Sequence, residues 1–270
     1  MNNVFDFKRF GNYFAYDLRR AINNYGISLL LLGLAPVILY TLHVLTSLLR
    51  GGGIAPIDGS LKIVISGIVI LATAVSAGVK IYGMVTDKRS GSDFLMLPAS
   101  TLEKWLSMVR MVCVAVPAVL LVLSLASDSL LSWIVPASYG EGIITSASSE
   151  DFSMLMGTNE DFSVNLPALF FLGWCGSALT FTLGGIFFKK AKIAKTILCL
   201  FALGTVLSIL TAVLIGNFNV DMEQFSQSLE EVDNPASVIN SFNWLLNIYM
   251  LITRGGLLLL TWLRLRTLKH

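Results

Sequence analysis

Charged residues are scarce in this sequence, which is also poor in cysteine and histidine. Lysine, arginine, aspartate and glutamate make up 13% of the 270 residues, about half of the share that soluble domains carry. The apolar residues, 55% of the chain, form long blocks of the length that crosses a bilayer, roughly 18 residues or more. The pattern argues against an ordinary soluble domain. It also argues against a β-barrel, whose strands would be short and alternating.

The few cysteines and histidines show no pattern of a metal or redox centre. Cys113, Cys175 and Cys199 all fall inside apolar blocks, and His43 and His270 have no metal-ligand spacing. The motifs G-x-x-x-x-G-K-[ST], H-E-x-x-H and G-x-S-x-G are also absent. We therefore expect no catalytic, cofactor-binding or metal-binding residue in this chain, and we interpret the cysteines as packing residues.

Six apolar blocks predict an all-α integral membrane protein, with residues 1–270 forming a single domain. Each block is long enough for one transmembrane helix. The six spans are expected at about 27–49, 63–84, 108–134, 166–188, 196–216 and 242–263.

The charges between the spans predict the orientation. Fifteen of the nineteen basic residues lie in residues 1–26, 85–110, 189–195 and the tail after the sixth span, whereas acidic residues concentrate in 135–165 and 217–241. Because basic residues near span ends favour the cytoplasmic side, both termini are expected to be cytoplasmic, in a multi-pass protein of the inner membrane. The first apolar block is too long for the core of a cleaved signal peptide.

An amphipathic N-terminal helix is predicted in residues 1–26. Apolar side chains recur at intervals of three and four, and basic residues lie beside them at positions that would meet anionic headgroups. The apolar positions are Phe7, Phe10, Phe14, Leu18 and Ile22. We expect an interfacial helix, with a flexible tail as the alternative.

A second short helix is predicted on the outer side, before the sixth span. Its apolar residues again have helical spacing, and the Asp-Asn-Pro sequence at 233–235 should end it. The apolar positions are Met222, Phe225, Leu229 and Val232.

Residues 97–105, between the second and third spans, carry a helix start signal. Pro98 cannot lie inside a helix, and the four residues from Ser100 to Glu103 fit the S-x-x-E capping box, so a helix should begin at Thr101. Trp105 lies on its predicted apolar face. Such a helix can rest in the membrane interface through its tryptophan, or dock into a groove of a soluble partner.

The segment "DKRSGSDFLMLPASTLEKWLS" (87–107) resembles the region between the second and third spans of ABC-2-type transporter permeases, where an L-P-x-S-x-x-E-K pattern recurs. The layout is similar too: an N-terminal amphipathic helix, six spans, and a basic link between the fourth and fifth. In that family the segment forms a coupling helix that docks on a separate ATPase subunit. The resemblance implies this docking role for Leu97, Pro98, Ser100, Glu103, Lys104 and Trp105.

The resemblance also implies the partners of the chain. They would be an ABC ATPase subunit, which binds the ATP and Mg²⁺, and a second permease in a homodimer or heterodimer, within the lipid bilayer. No nucleic-acid partner is expected. The chain itself would not be an enzyme, and would export a substrate by alternating access. A non-transporting multi-span protein, with a role in immunity, assembly or sensing, is the alternative. Ion-coupled transport is disfavoured, because buried mid-membrane acids are absent.

Arg254 and several small or proline residues lie inside the predicted spans. Arg254 lies near the middle of the sixth span. A charge there either lines a transport path or gate, or forms a structural pair with a buried carbonyl or polar group. The sequence is compatible with both alternatives. The small residues of 173–185 predict close helix packing. Pro36 and Pro117 should bend the first and third spans.

Overall fold

The computed structural model describes residues 5–51, 56–86, 91, 94, 96–143, 166–217 and 235–267. Every regular element in this part of the chain is helical, which confirms the predicted all-α class. A 3₁₀ turn lies at Gly83–Thr86 and a π-helical turn at Met111–Ala115. The α-helices are α1 (Phe7–Gly33), α2 (Ala35–Leu49), α3 (Gly59–Tyr82), α4 (Thr101–Arg110), α5 (Val116–Ile134), α6 (Pro136–Tyr139), α7 (Leu166–Phe187), α8 (Lys192–Asn217) and α9 (Pro235–Thr267).

Five helical segments are long and apolar enough to cross a membrane, and a sixth is present if α1 and α2 count as one bent span. The count is therefore five or six, against six predicted spans, and the helices overlap the predicted positions. The five segments are Gly59–Thr86, Thr101–Ile134, Leu169–Phe187, Lys192–Val213 and Trp244–Thr267. By length and composition, this is the helix set of a multi-pass membrane protein.

The first span differs from its predicted boundary at residue 26. Helix α1 begins after Asp6, whose carboxylate accepts from the backbone amides of Lys8 and Arg9 at 2.8 and 3.4 Å, and it runs without a break to Gly33. A bend of 48° then separates α1 from α2. Pro36 lies in the first turn of α2, where its missing N–H has no helical partner to lose. The predicted bend at Pro36 is therefore confirmed. It does not separate an interfacial helix from a transmembrane span, because α1 continues through residue 26 as far as Gly33.

Pro117 follows the π-helical turn of the third span. The turn covers Met111–Ala115, and α5 resumes at Val116 with the proline in its first turn. A π turn inserts one extra residue into the helix, which moves the proline ring away from the carbonyl that it would otherwise meet in the preceding turn. A bend was predicted at Pro117; the structure instead has a π turn before the proline, within a segment that remains one continuous span.

The core is formed where α3 packs on α7, α7 on α9, and α1 on α5. Small residues allow the close approach: a Cβ added to Gly78 of α3 would lie 2.0 Å from Thr182 Oγ1 of α7, and one added to Gly176 would lie 2.0 Å from Cζ of Arg254 in α9. The small-residue run of α7 is therefore a packing surface, as predicted.

Helix α8 lies at the edge of the bundle. Among its side chains that the structure describes, Thr196 is buried, while the apolar residues after it are exposed. An apolar helix with so much exposed surface is suited to contact with lipid or with another membrane protein. The outer helix predicted from Met222 to Val232 lies outside the described residues.

Candidate functional site

The predicted capping box forms at the start of α4. Ser100 Oγ accepts from the backbone amide of Glu103 at 3.2 Å, and the Glu103 carboxylate accepts from the backbone amide of Ser100 at 2.8 Å. Two backbone donors that the first turn would leave free are thereby satisfied. Helix α4 therefore begins at Thr101, as the sequence predicted.

Glu103 also connects α4 to α1. Its side chain has no exposed surface, and its carboxylate accepts from Arg9 Nε at 2.8 Å and from Arg9 Nη2 at 2.7 Å. The backbone amide of Asp6 donates to the same carboxylate at 3.0 Å. A buried charge with an arginine and two amides as donors is well compensated. The capping glutamate thus ties the start of α1 to the start of α4.

A second buried carboxylate, which the sequence analysis missed, joins α1, α3 and α4. Asp17 is 2% exposed, and its Oδ2 accepts from Tyr82 of α3 and from Ser107 of α4, both at 2.6 Å. The signal was available in α1: Tyr13, Asp17, Ala21 and Tyr25 recur every four residues and form its buried face. The stripe from Phe7 to Ile22, which predicted an interfacial helix, is a different one, and Phe7, Leu18 and Ile22 on it are exposed.

Lys104 and Trp105 are also held inside the bundle. Lys104 is 7% exposed, and its Nζ donates to the carbonyl of Phe94 at 2.8 Å. This contact fixes the segment that precedes α4. Trp105 is half-buried, and its Nε1 donates to Thr261 Oγ1 of α9 at 3.1 Å. Helix α4 is therefore attached to α1, α3 and α9.

The remaining predicted docking residues lie at the surface before α4. Pro98 is exposed, Leu97 and Ser100 are half-buried, and the neighbouring Met96 is 79% exposed. Leu97 and Pro98 line an open pocket of about 430 Å³ together with the start of α1. The six residues thus separate into a surface group and an inward group, and their docking role stays a prediction. We call the residues Met96–Pro98 the α4 tip.

Arg254 contacts the backbone of α7. Its Nε donates to the carbonyl of Leu172 at 3.0 Å, and its guanidinium lies over Gly176, where any side chain would collide with it. This is the geometry of the structural alternative, a pair with a carbonyl. A role of Arg254 in a transport path or gate stays a prediction.

The opposite end of the bundle holds a further polar cluster. Asp128 is 1% exposed and accepts from Tyr139 Oη at 2.5 Å and from the amide of Ile143 at 2.6 Å. Lys62 lies over the Tyr139 ring and donates to the carbonyl of Glu141 at 2.8 Å. Burial and the Asp128 carboxylate raise the pKa of Tyr139, which therefore acts as a neutral donor.

Within the described ranges, no three histidine, cysteine, aspartate or glutamate side chains are close enough together to hold a metal ion. Comparisons of the chain with known protein families, with curated proteins and with solved structures found no match. The likeness to ABC-2-type permeases therefore depends on residues 87–107 and on the layout of the helices.

Proposed function

We propose that this chain is the membrane-spanning permease subunit of an ATP-driven ABC-type exporter. It works with a separate ATPase subunit, which binds ATP and Mg²⁺, and with a second permease as a homodimer or heterodimer. The chain lies in the inner membrane with both termini in the cytoplasm, so that α4 faces the ATPase. It is a transport subunit and hydrolyses no ATP itself.

The attachment of α4 to three other helices carries the proposal. A helix that only anchors the protein in the membrane interface needs no buried connection to the rest of the bundle. Here the connections run to α1 through Glu103 and Arg9, to α3 through the shared Asp17 carboxylate, and to α9 through Trp105. Satisfied hydrogen-bond networks of this kind rigidify the elements that they join. A force applied to α4 therefore reaches three spans.

The α4 tip is the part of the site that suits a partner. Met96 and Pro98 are exposed beside the capped start of α4, and Leu102, in the first turn of α4, is 44% exposed. Small apolar anchors with a preordered backbone are typical of segments that dock into grooves. Glu103 and Lys104 would then act indirectly, by fixing the tip, because both are buried.

Transport would follow from alternating access. ATP binding draws the two ATPase subunits together, and the docked tips move with them. Because α4 is fixed to α1 and α9, these helices tilt with it and open the path outward. The bend between α1 and α2 is a place where such a movement can be absorbed.

The experiment that tests the proposal is co-purification of an ATPase. The tagged full chain is extracted from native membranes in mild detergent, and the eluate is assayed for ATP hydrolysis and for a Walker-A protein by mass spectrometry. We expect Met96→Asp/Leu97→Asp to lower the bound ATPase about ten-fold or more, since burying new charges at a contact costs over ~1.4 kcal/mol. The control is Phe7→Asp, which charges an equally exposed apolar residue outside the tip.

Two results would contradict the proposal. The first is a wild-type eluate with no ATPase, which would favour a non-transporting membrane protein. The second is full retention of the ATPase by the double variant, provided that both variants keep the wild-type thermal unfolding temperature in detergent.

A further inference from the structure

A cavity of about 180 Å³ lies between α2, α3 and α5, at the end of the bundle away from α4. Its walls are mostly apolar side chains, among them Leu39 of α2, Val69 of α3 and Leu120 of α5. From Lys62 to Val69 it follows α3 for seven residues, about 10 Å at the helical rise. All three helices belong to spans, so the cavity lies within the membrane part of the protein.

The cavity lies beside the bend between α1 and α2, and α2 contacts both α3 and α5. After the 48° bend, none of the residues of α2 is buried. Its described side-chain contacts with the turn after α5 are at Tyr40, which hydrogen-bonds Ser138 at 2.9 Å and packs edge-on against Tyr139. The cavity follows α2 from its bend to Leu39.

The polar groups at one end of the cavity are already satisfied by the protein. Asp128 bonds Tyr139 and the amide of Ile143, and Lys62 bonds the carbonyl of Glu141. The two serines in the walls donate to carbonyls of their own helices, Ser66 to Lys62 and Ser124 to Leu121. What the cavity offers a ligand is therefore apolar surface. Apolar cavities of about 150 Å³ stay dry and take up apolar molecules.

We propose that this cavity binds a hydrocarbon chain of a bilayer lipid, which packs between α2 and the α3–α5 pair. The bilayer supplies such chains at high concentration beside the opening, whose rim includes the half-exposed Ile70 and Leu121. A linear chain can lie along α3 in this cavity, and it adds the dispersion contacts that the walls lack. The site is independent of the proposed transport function and of any ATPase.

The test uses the full chain in nanodiscs that contain phosphatidylcholine with a diazirine on one acyl chain. After illumination, labelled residues are mapped by peptide mass spectrometry. Val69 and Leu120 are 9% and 3% exposed, so a label on them comes from inside the cavity, whereas Leu203 on α8 is 55% exposed and reports contact with bulk lipid. We expect labels at all three residues.

Filling the cavity should remove the inner labels selectively. Ser124→Leu is expected to lower labelling of Val69 and Leu120 about five-fold, because a filled cavity has no room for a chain, and to leave Leu203 unchanged. Thr205→Leu is the matched control, since Thr205 also bonds only a carbonyl three residues earlier but faces outward on α8. Ser66→Leu fills the cavity from α3 if the first variant does not fold.

The proposal is overturned if labels are confined to exposed residues, or if the filling variants label Val69 and Leu120 as the wild type does. It is also overturned if α2 crosslinks to a second copy of the chain through the cavity residues, because a protein then covers the site.

Discussion

The two ends of this bundle are built differently, although the same helices run through both. At the α4 end, α3 buries Thr73, Ala74, Ala77, Gly78, Ile81 and Tyr82, whereas its opposite half buries Lys62 and Val69. At the α4 end, the carboxylates of Asp17 and Glu103 accept from residues 65 to 97 positions away in sequence, in addition to the local capping bond from Ser100. At the far end, Asp128 accepts from residues 11 and 15 positions away.

This difference in hydrogen bonding indicates which parts of the protein move together. Long-range bonds to the carboxylates of Asp17 and Glu103 join separate helices into one unit. At the far end, the bonds to Asp128 fix the short turn that follows its own helix, and the long-range bonds from Lys62 and Tyr40 reach that same turn. The far end also has the cavity and the exposed helix α2. We infer that the α4 end behaves as a rigid body and that conformational change concentrates in the far half, on the far side of the bend at Leu34.

The largest expected effect is that of substituting Asp17, which would disrupt the hydrogen bonds at the α4 end. Asp17→Leu leaves the hydroxyls of Tyr82 and Ser107 buried without their acceptor, at about 1–3 kcal/mol each, so we expect a loss of about 3 kcal/mol in the free energy of unfolding. Asp17→Asn keeps an acceptor oxygen and should lose less than half as much. Reversible unfolding in mixed detergent micelles measures both. Equal losses in the two variants would show that the bonds to the hydroxyls are not the cause.

The sequence sufficed to predict the helices because their signals are local. A block of apolar residues predicts a span independently of the rest of the sequence. The capping box from Ser100 to Glu103 is likewise complete within four residues. The bend at Pro36 is equally local, since it follows from the proline ring. These features were predicted at the right places, apart from two boundaries. One lies between the N-terminal helix and the first span, and the other between α4 and the third span, which form one segment from Thr101 to Ile134.

The partners of the buried charges could not be predicted in the same way. Glu103 pairs with Arg9, and Trp105 with Thr261, across 94 and 156 residues. Several arginines and lysines lie at the same end of the bundle. The pattern of apolar residues does not indicate which of them pairs with Glu103. The inward position of Lys104 was also unexpected, because burying a lysine depends on a carbonyl supplied by another segment. The docking role that the motif suggests stays a prediction.

Substituting two glycines of α3 by alanine, one at a time, compares the packing at the two ends directly. Gly78→Ala places a Cβ 2.0 Å from Thr182 Oγ1 and 2.9 Å from the Thr182 backbone, so we expect it to cost about 1–3 kcal/mol by overpacking. Gly67, eleven residues earlier, has nothing within 4 Å of its added Cβ. Gly67→Ala should therefore be neutral or stabilising by up to about 1 kcal/mol, through helix propensity. Thermal unfolding in detergent compares them, and similar effects would refute the contrast between the ends.

The smallest expected effect concerns the single hydrogen bond that attaches α4 to α9. Trp105→Phe keeps a smaller aromatic ring but removes the donor to Thr261, and Thr261→Val removes the acceptor with little change in shape. We expect each to cost about 0.5–1.5 kcal/mol in the free energy of unfolding, and the double variant to cost little more than either one, since both remove the same bond. Costs that add fully would mean that the bond contributes nothing, and α9 would then lie outside the rigid unit at the α4 end.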